Sequence, residues 1–402
     1  TRVRSSAESD VYKRQPRDDP GHYAGLLSTA DVDDIIAFTR PKFVDPAPFS
    51  TQPPRKQTFV QGWLAERQAG ETARYPGVAE LREVYGQGKT VIVMTMQHRW
   101  PPAAALCRNL EAAFHCPVHA NMYLTPKGAQ GFDAHFDPHE VFVLQLEGRK
   151  HWRLYGPSRP LPLVDERFNV PKDRLGPPTE VRLGPGDMLY IPRGHVHEAF
   201  TSEGPSLHLT VGVNVYRWAD LLHEAVTLLA REDERFRESV PPGLLGGEDP
   251  PTAVKDRFRE LMAALASSAR SEDAIRRLGD RFFGEMQPLP GGHFLPVAEA
   301  DAIDLDTVLV RGRGMVCRVV RDGSWVSIEF PGGLVGGLAK IASALYYVAS
   351  VRRFPVRALP DELGAEGKLI LARRLLHERL LTVAAPPRRD QPAGPPGSER
   401  AS

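Results

Sequence analysis

The sequence predicts an α+β protein built around a β-sandwich or barrel. Between residues 117 and 216, short β-rich stretches alternate with Gly and Pro punctuation (HANMYLT, HEVFVLQLEG, HWRLYGP, EVRLGPGDMLYIP, HEAFTS, LHLTVGVNVY), the pattern of many short strands joined by turns. Helical spacing flanks this core on both sides. A second strand-rich stretch, 307–330, is followed by two helical segments.

Residues 1–19 mix Arg, Ser, Glu, Asp and Lys without an apolar run and are expected to be a disordered tail rather than a leader or an anchor. Ser28 stands before the run Val32 to Phe38 as a helix N-cap with acids in the first turn. Trp100 to Phe114 opens on prolines and reads as a helix, with Leu106, Leu110 and Phe114 spaced for one buried face. After the β-rich core, 219–237, 253–269 and 271–286 return to helical spacing, and such amphipathic helices pack on their own domain or on a twin subunit. In the C-terminal part, Asp322-Gly323 marks a hairpin. Helices are expected over 338–351 and 368–380, with short apolar segments at 354–359 and 381–384, an order compatible with a winged helix. The Pro-rich end, 387–402, reads as a second disordered tail. The expected divisions are therefore 1–19, 20–216, 217–290, 291–386 and 387–402.

With 42% hydrophobic and 25% charged residues, the 402-residue chain can bury the cores of two or three domains. Its net charge of +1 provides no overall field toward nucleic acid or a membrane surface. Residues 337–386 hold eight Lys/Arg against four Asp/Glu without interleaved aromatics, which suits a solvated face better than a nucleic-acid surface. Three cysteines without a C-x-x-C pair argue against a disulfide framework or structural zinc, so a reducing cytoplasm is the expected location. No apolar run has the length of a membrane span.

The chemistry gathers in the β-rich core. His135-Phe136-Asp137 puts two metal-binding groups two residues apart, hence on one face if the segment is a strand. Alone this is weak in a chain with 13 histidines. The pattern Gly186-x5-Pro192-x-Gly194-x2-His197 adds a tight turn, a buried strand and a Gly kink that returns a histidine inward. Together they supply two imidazoles and a carboxylate, the facial triad that suits non-haem Fe(II) and leaves positions open. Residue types alone leave a catalytic zinc with water as an alternative. His195 shares parity with His197 but sits at the Gly turn, and His139 and His151 are expected on the outer face. Lys150, among apolar and aromatic neighbours, can point inward to meet a buried carboxylate, or lie on an outer wall; Asn121 can equally be a cap or turn residue.

The run NMYLTPKGAQGFDAHFDPHEVFVLQLEGRKHWRLYGP, with the later PGDMLYIPRGHVHEAF and LHLT, closely resembles the JmjC-type ribosomal oxygenases, cupin-like protein hydroxylases of bacteria and eukaryotes. The resemblance is dense over 121–213 and weaker beyond. It implies a double-stranded β-helix (a cupin/JmjC jelly roll), then a helical dimerisation region and a C-terminal winged-helix-like domain. It further implies an enzyme that uses Fe(II), 2-oxoglutarate and O2 to hydroxylate a protein or peptide, possibly a ribosomal protein, releasing succinate and CO2, and that forms a homodimer. By that resemblance His135, Asp137 and His197 hold the iron, Lys150 meets the distal carboxylate of 2-oxoglutarate, Asn121 lies beside that co-substrate and Tyr123 lines the pocket for the target side chain. His208 occupies a position typical of the family without being a ligand. Gly212 departs from the pattern, since histidine-hydroxylating members carry a serine there, and this leaves the target amino acid open. Alternatives are a related oxygenase acting on another peptide, an N-methyl-lysine demethylase, or a non-catalytic regulatory protein with a winged helix.

Overall fold

Side-chain alternation along the strands fixes the layout of the core, because a slip of one residue would exchange its two faces. The computed structural model describes residues 12–39, 42–43, 57–61, 78–166, 171–246, 249–286, 300–312 and 314–384. The chain divides into two units, 1–289 and 290–402.

In the first unit the strands are β1 (Lys13–Gln15), β2 (Lys42–Phe43), β3 (Gln57–Gln61), β4 (Thr90–Val93), β5 (Val118–Thr125), β6 (Glu140–Gly148), β7 (Lys150–Pro157), β8 (Thr179–Leu183), β9 (Met188–Ile191), β10 (His195–Phe200) and β11 (Ser206–Val213). The helices are α1 (Thr29–Thr39), α2 (Val78–Gly86), α3 (Pro101–Phe114), α4 (Trp218–Glu232), α5 (Thr252–Ser268) and α6 (Ser271–Glu285). An eight-stranded sheet runs β1-β9-β6-β11-β5-β4-β3-β2 and a three-stranded sheet runs β10-β7-β8. All pairs are antiparallel except β3 with β4.

The large sheet has two different faces. On one, Val118, Ala120 and Met122 of β5 and Leu207, Leu209, Val211 and Val213 of β11 join a core with Ile35 of α1, Leu81 of α2 and Ala103 and Cys107 of α3. Full burial of a Val or Leu side chain stabilises by about 1.5–3 kcal/mol, so this face alone fixes the strand register. On the other face, Val141 and Val143 of β6 and Leu189 and Ile191 of β9 pack against Trp152 and Leu154 of β7 and Val181 and Leu183 of β8. The two sheets are thus joined by an apolar core of their own, the arrangement of a jelly roll.

The helix over 101–114 and the β-rich stretches form where the sequence indicates, but α3 buries a different stripe. Ala103, Ala104, Cys107 and Arg108 are buried. Leu106 and Leu110 only flank the core, and Phe114 is 48% exposed. Small residues let the helix lie close to the sheet, and Arg108 is tolerated because Glu111 meets it at 3.0 Å.

Part of the expected N-terminal tail is also ordered by pairing. Residues 13–15 form β1 against Met188–Tyr190 of β9. The Asp187 carboxylate accepts from the Arg14 guanidinium at 3.1 Å and from the Arg17 amide and Gly184 amide, each at 3.0 Å. Residues 1–11 of the tail, and all of 387–402, lie outside the described residues.

The second unit holds β12 (Val308–Arg311), β13 (Arg318–Asp322), β14 (Trp325–Phe330), β15 (Gly333–Leu338), α7 (Ala342–Ser350), β16 (Arg353–Pro355), α8 (Gly364–His377) and β17 (Leu381–Val383). Two three-stranded sheets, β16-β12-β17 and β13-β14-β15, share a core with both helices that includes Leu309, Ile328, Leu345, Phe354 and Leu375. The hairpin turns at Asp322-Gly323 as the sequence indicates. β15, with three glycines in six residues, gives no strand signal in the sequence. Among the described residues no helix is long and apolar enough to cross a membrane.

Burial pushes the Asp187 carboxyl up, but the amides of Gly184 and Arg17 and the Arg14 guanidinium outweigh it and hold it below the usual carboxylate range. Its contribution to stability is therefore present at neutral pH and lost as pH falls through that lowered value. Asp187→Ala is expected to cost about 2 kcal/mol in urea unfolding at pH 7, with a smaller difference from wild type at pH 3, and to speed proteolysis at residues 13–17. Equal stability of the two proteins at pH 7 would contradict this.

Candidate metal centre and its pocket

The inner face of the large sheet carries the polar residues. Those intervening between the apolar positions are His119, Asn121, Tyr123 and Thr125 on β5 and His208, Thr210 and Gly212 on β11. Across from them, β7 turns Lys150 and Trp152 inward and β10 turns His197 and Ala199 inward. All of these except Thr125 and Gly212 line a cavity of about 230 Å3 together with Met94, Gly131, Phe132, His135, Asp137, His139 and Val141.

His135 and Asp137 are not on a regular strand. They lie in the connection between β5 and β6, which runs extended along β10: His135 and His197 exchange both backbone hydrogen bonds, at 3.1 and 2.8 Å, and the Gly194 amide donates to the Asp137 carbonyl at 2.9 Å. This ladder brings the two imidazoles to 4.5 Å between ring centroids and His197 Nε2 to 3.6 Å from an Asp137 carboxylate oxygen. One ligand atom from each of the three residues lies within 4.8 Å of the others. Gly194, with φ 82°, makes the turn possible, since a Cβ there would lie 2.2 Å from the Arg159 carbonyl oxygen.

Both histidines are oriented by their other nitrogen. His135 Nδ1 donates to the Asp133 carbonyl at 2.8 Å and His197 Nδ1 to the His195 carbonyl at 3.0 Å. A carbonyl only accepts, so each Nδ1 carries a proton, which in the neutral ring leaves Nε2 its lone pair. Burial, aided by the neighbouring His135, pushes the His197 imidazole down to about 4. Burial pushes the Asp137 carboxyl up, but the surrounding imidazoles, His135 and His197 first, outweigh it and keep it below the ordinary carboxylate range. Two imidazoles and a carboxylate at these separations match a divalent cation that takes N and O donors.

Deeper in the pocket Lys150 is 2% exposed. Its Nζ donates to the Thr125 hydroxyl at 2.8 Å and lies 3.4 Å from His208 Nδ1, and among the described residues no carboxylate forms an ion pair with it. Burial lowers its amine to about 7. Burial and then Lys150 push the His208 imidazole well below its usual value. Asn121 Oδ1 accepts from the Thr95 amide at 3.0 Å. Tyr123 stacks flat on His208, with centroids 4.7 Å apart.

The residues indicated by the sequence thus come together: His135, Asp137, His197, Asn121, Tyr123 and Lys150 line one cavity, and Gly212 lies behind its wall, against His119 and His139. His151 does point outward, stacked on Phe200. His139 does not: it lines the cavity, packed edge-on against His119 at 4.7 Å. His119 carries no motif, but its parity with Asn121 and Tyr123 on β5 is a signal that would have found it.

Residues 93–221 match the family model described as the JmjC domain. This segment is a JmjC domain. Over the JmjC domain and its flanks the chain is 31% identical to the bifunctional lysine-specific demethylase and histidyl-hydroxylase NO66 of Aedes aegypti, across 285 residues that cover 67% of this chain and 43% of that protein. It is 35% identical to ribosomal oxygenase 1 of Gallus gallus across 291 residues, covering 68% and 47%. Ribosomal oxygenase 2 of Rattus norvegicus is 37% identical across 196 residues, covering 46% and 42%. The chain spans about half the length, or less, of the curated relatives it matches. Among solved structures, YcfD, a ribosomal oxygenase from Escherichia coli in complex with cobalt and 2-oxoglutarate, matches with a TM-score of 0.52 at 17% identity, covering 93% of this chain and 95% of that one. The JmjC domain and that protein are alike in fold.

The buried amine gives a pH signature. An unfolded lysine titrates near ~10.4, so between about 7 and that value the unfolded chain binds more protons than the folded one. Stability of the ligand-free protein should therefore rise with pH across this window, by up to ~1.4 kcal/mol per unit from this group. Lys150→Met should flatten the rise in urea unfolding measured from pH 6.5 to 9. An unchanged slope would mean the ammonium is not desolvated.

Proposed function

We propose that the chain is an Fe(II)- and 2-oxoglutarate-dependent oxygenase that hydroxylates a side chain of a protein, in the manner its ribosomal-oxygenase relatives are named for. One observation carries this reading: a fully buried ammonium that has no carboxylate partner among the described residues shares a cavity with a His-Asp-His cluster of metal-ligand geometry. A buried charge without a counterion is costly, and a dianion that ligates the metal at one end and reaches Lys150 at the other removes that cost.

In this reading His135, Asp137 and His197 hold Fe(II). Bound there, the metal and 2-oxoglutarate supply the oxygen chemistry: O2 and 2-oxoglutarate give succinate and CO2, and one oxygen atom is left on the target. The chain's own residues bind and orient. Lys150, steadied by the Thr125 hydroxyl, pairs with the distal carboxylate. Asn121, held by the Thr95 amide, directs its NH2 group beside the co-substrate, and Tyr123 forms a wall for the target side chain. Trp152, 5.9 Å from the His197 ring and 5.6 Å from the His208 ring, keeps water from the space between metal and lysine.

The relatives' names support a ribosomal protein as target. A homodimer through the helical region is supported by α5, which buries no side chain within this chain and leaves Phe258 65% and Met262 50% exposed. The order of strands and helices in the second unit supports its reading as winged-helix-like.

Calorimetry with Mn(II) in place of Fe(II) tests the assignment. Lys150→Ala is expected to weaken 2-oxoglutarate binding by at least ~30-fold with Mn(II) binding retained, and Asp137→Ala to abolish Mn(II) binding. Wild-type 2-oxoglutarate affinity in Lys150→Ala would defeat the role given to the lysine. Mass spectrometry of the product separates the related chemistries, since hydroxylation adds one oxygen whereas demethylation removes a methyl group as formaldehyde.

A further inference from the structure

Gly212 lies on the inner face of β11, paired with His119 of β5 on one side and Val141 of β6 on the other. A Cβ at this position would fall 2.3 Å from His119 Cε1, 2.5 Å from His119 Nε2 and 2.5 Å from His139 Cδ2. A side chain here would push both rings out of place, so the glycine is what lets the two imidazoles sit where they do. Asn214, two residues further along the chain, donates its amide NH2 to His119 Nδ1 at 3.1 Å. An amide nitrogen only donates, so His119 Nδ1 accepts and the proton of the neutral ring sits on Nε2. Neither His119 Nε2 nor the His139 ring has a hydrogen-bond partner among the described residues, and both side chains line the cavity that holds the metal cluster.

We propose that His119 and His139, admitted by Gly212, form the subsite that holds the target side chain, and that it selects an uncharged side chain with a hydrogen-bond acceptor over a cation. The inference rests on the oxygenase reading and goes beyond it by naming the selecting residues and the class of target. His119 Nε2–H supplies a donor where a family serine would have placed a hydroxyl. Among the described residues the cavity's single carboxylate is Asp137, which belongs to the His-Asp-His cluster. A guanidinium or ammonium would therefore be buried without a counterion, and two imidazoles at its side would not replace one. An imidazole or carboxamide side chain can accept from His119 without that cost. A site built to hydrogen-bond its substrate rejects analogues that cannot complete the bond more strongly than an apolar site would.

The test incubates the Fe(II) enzyme with 2-oxoglutarate and a library of peptides covering ribosomal proteins, and locates the modified residue by mass spectrometry. Oxygen is expected on His, Asn or Gln, with turnover at least ~10-fold above any Arg or Lys product. For the preferred peptide, His119→Ala is expected to raise KM by about tenfold with a smaller change in kcat, and to narrow the preference over cationic residues. Gly212→Ser should have the same effect by displacing the ring, and His119→Ala combined with Gly212→Ser, which returns a hydroxyl to the vacated space, should recover part of it. Oxygen on arginine, methyl loss from lysine, no product from any peptide, or an unaltered preference in His119→Ala would overturn the subsite. If wild-type enzyme binds Mn(II) and 2-oxoglutarate in calorimetry, those outcomes leave the oxygenase reading standing. If it binds neither, that reading fails and the subsite with it.

Discussion

The large sheet of the first unit must satisfy two solvents at once. One face has to be apolar enough to hold α1, α2 and α3, and the other lines a cavity furnished with imidazoles, an amide, hydroxyls and an ammonium. Strand alternation makes both possible from the same residues: β5 reads Val, His, Ala, Asn, Met, Tyr, Leu, Thr, with every second side chain committed to the helices. The apolar half sets the register and thereby aims the polar half. A change of packing under α3 would be felt in the pocket, because Ala120 and Met122 alternate with Asn121 and Tyr123 on one rigid strand.

Legibility of the site in the sequence followed from how locally each residue is placed. His135 and Asp137 are separated by one residue, and His197 is fixed by a glycine and a proline within five positions, so spacing reveals them. The backbone ladder that joins these two segments is not local. It crosses about sixty residues, and spacing alone presents it as an ordinary strand rather than an irregular connection pinned to β10. His139 is harder still, because its placement beside His119 depends on a side chain that Gly212 does not have. An absent atom leaves no periodic trace.

The same reasoning accounts for differences in the fold. β1 is three residues in a charged segment, and it exists because β9 offers an edge and Asp187 offers a carboxylate. β15 is half glycine and is a strand because β14 pairs with it. α3 buries alanines and a cysteine where size alone favours its leucines, since close approach to the sheet admits only small side chains. In each case a tertiary partner overrides the local preference. The hairpin at Asp322-Gly323 was legible because its chemistry is contained in two residues.

The turn at Gly194 has a consequence for how such a domain can diversify. The segment that follows β7 passes directly over it: the Arg159 carbonyl and the Pro162 ring leave no space for even a methyl group. Three residues later the chain presents His197. Surface connections are usually the parts of a scaffold that vary most freely, yet lengthening or re-routing this one would press on the hinge that aims the His197 imidazole into the cavity. Variation in what the pocket accepts is therefore better borne by the wall formed by β5 and β11, which leaves the hinge of β10 as fixed ground.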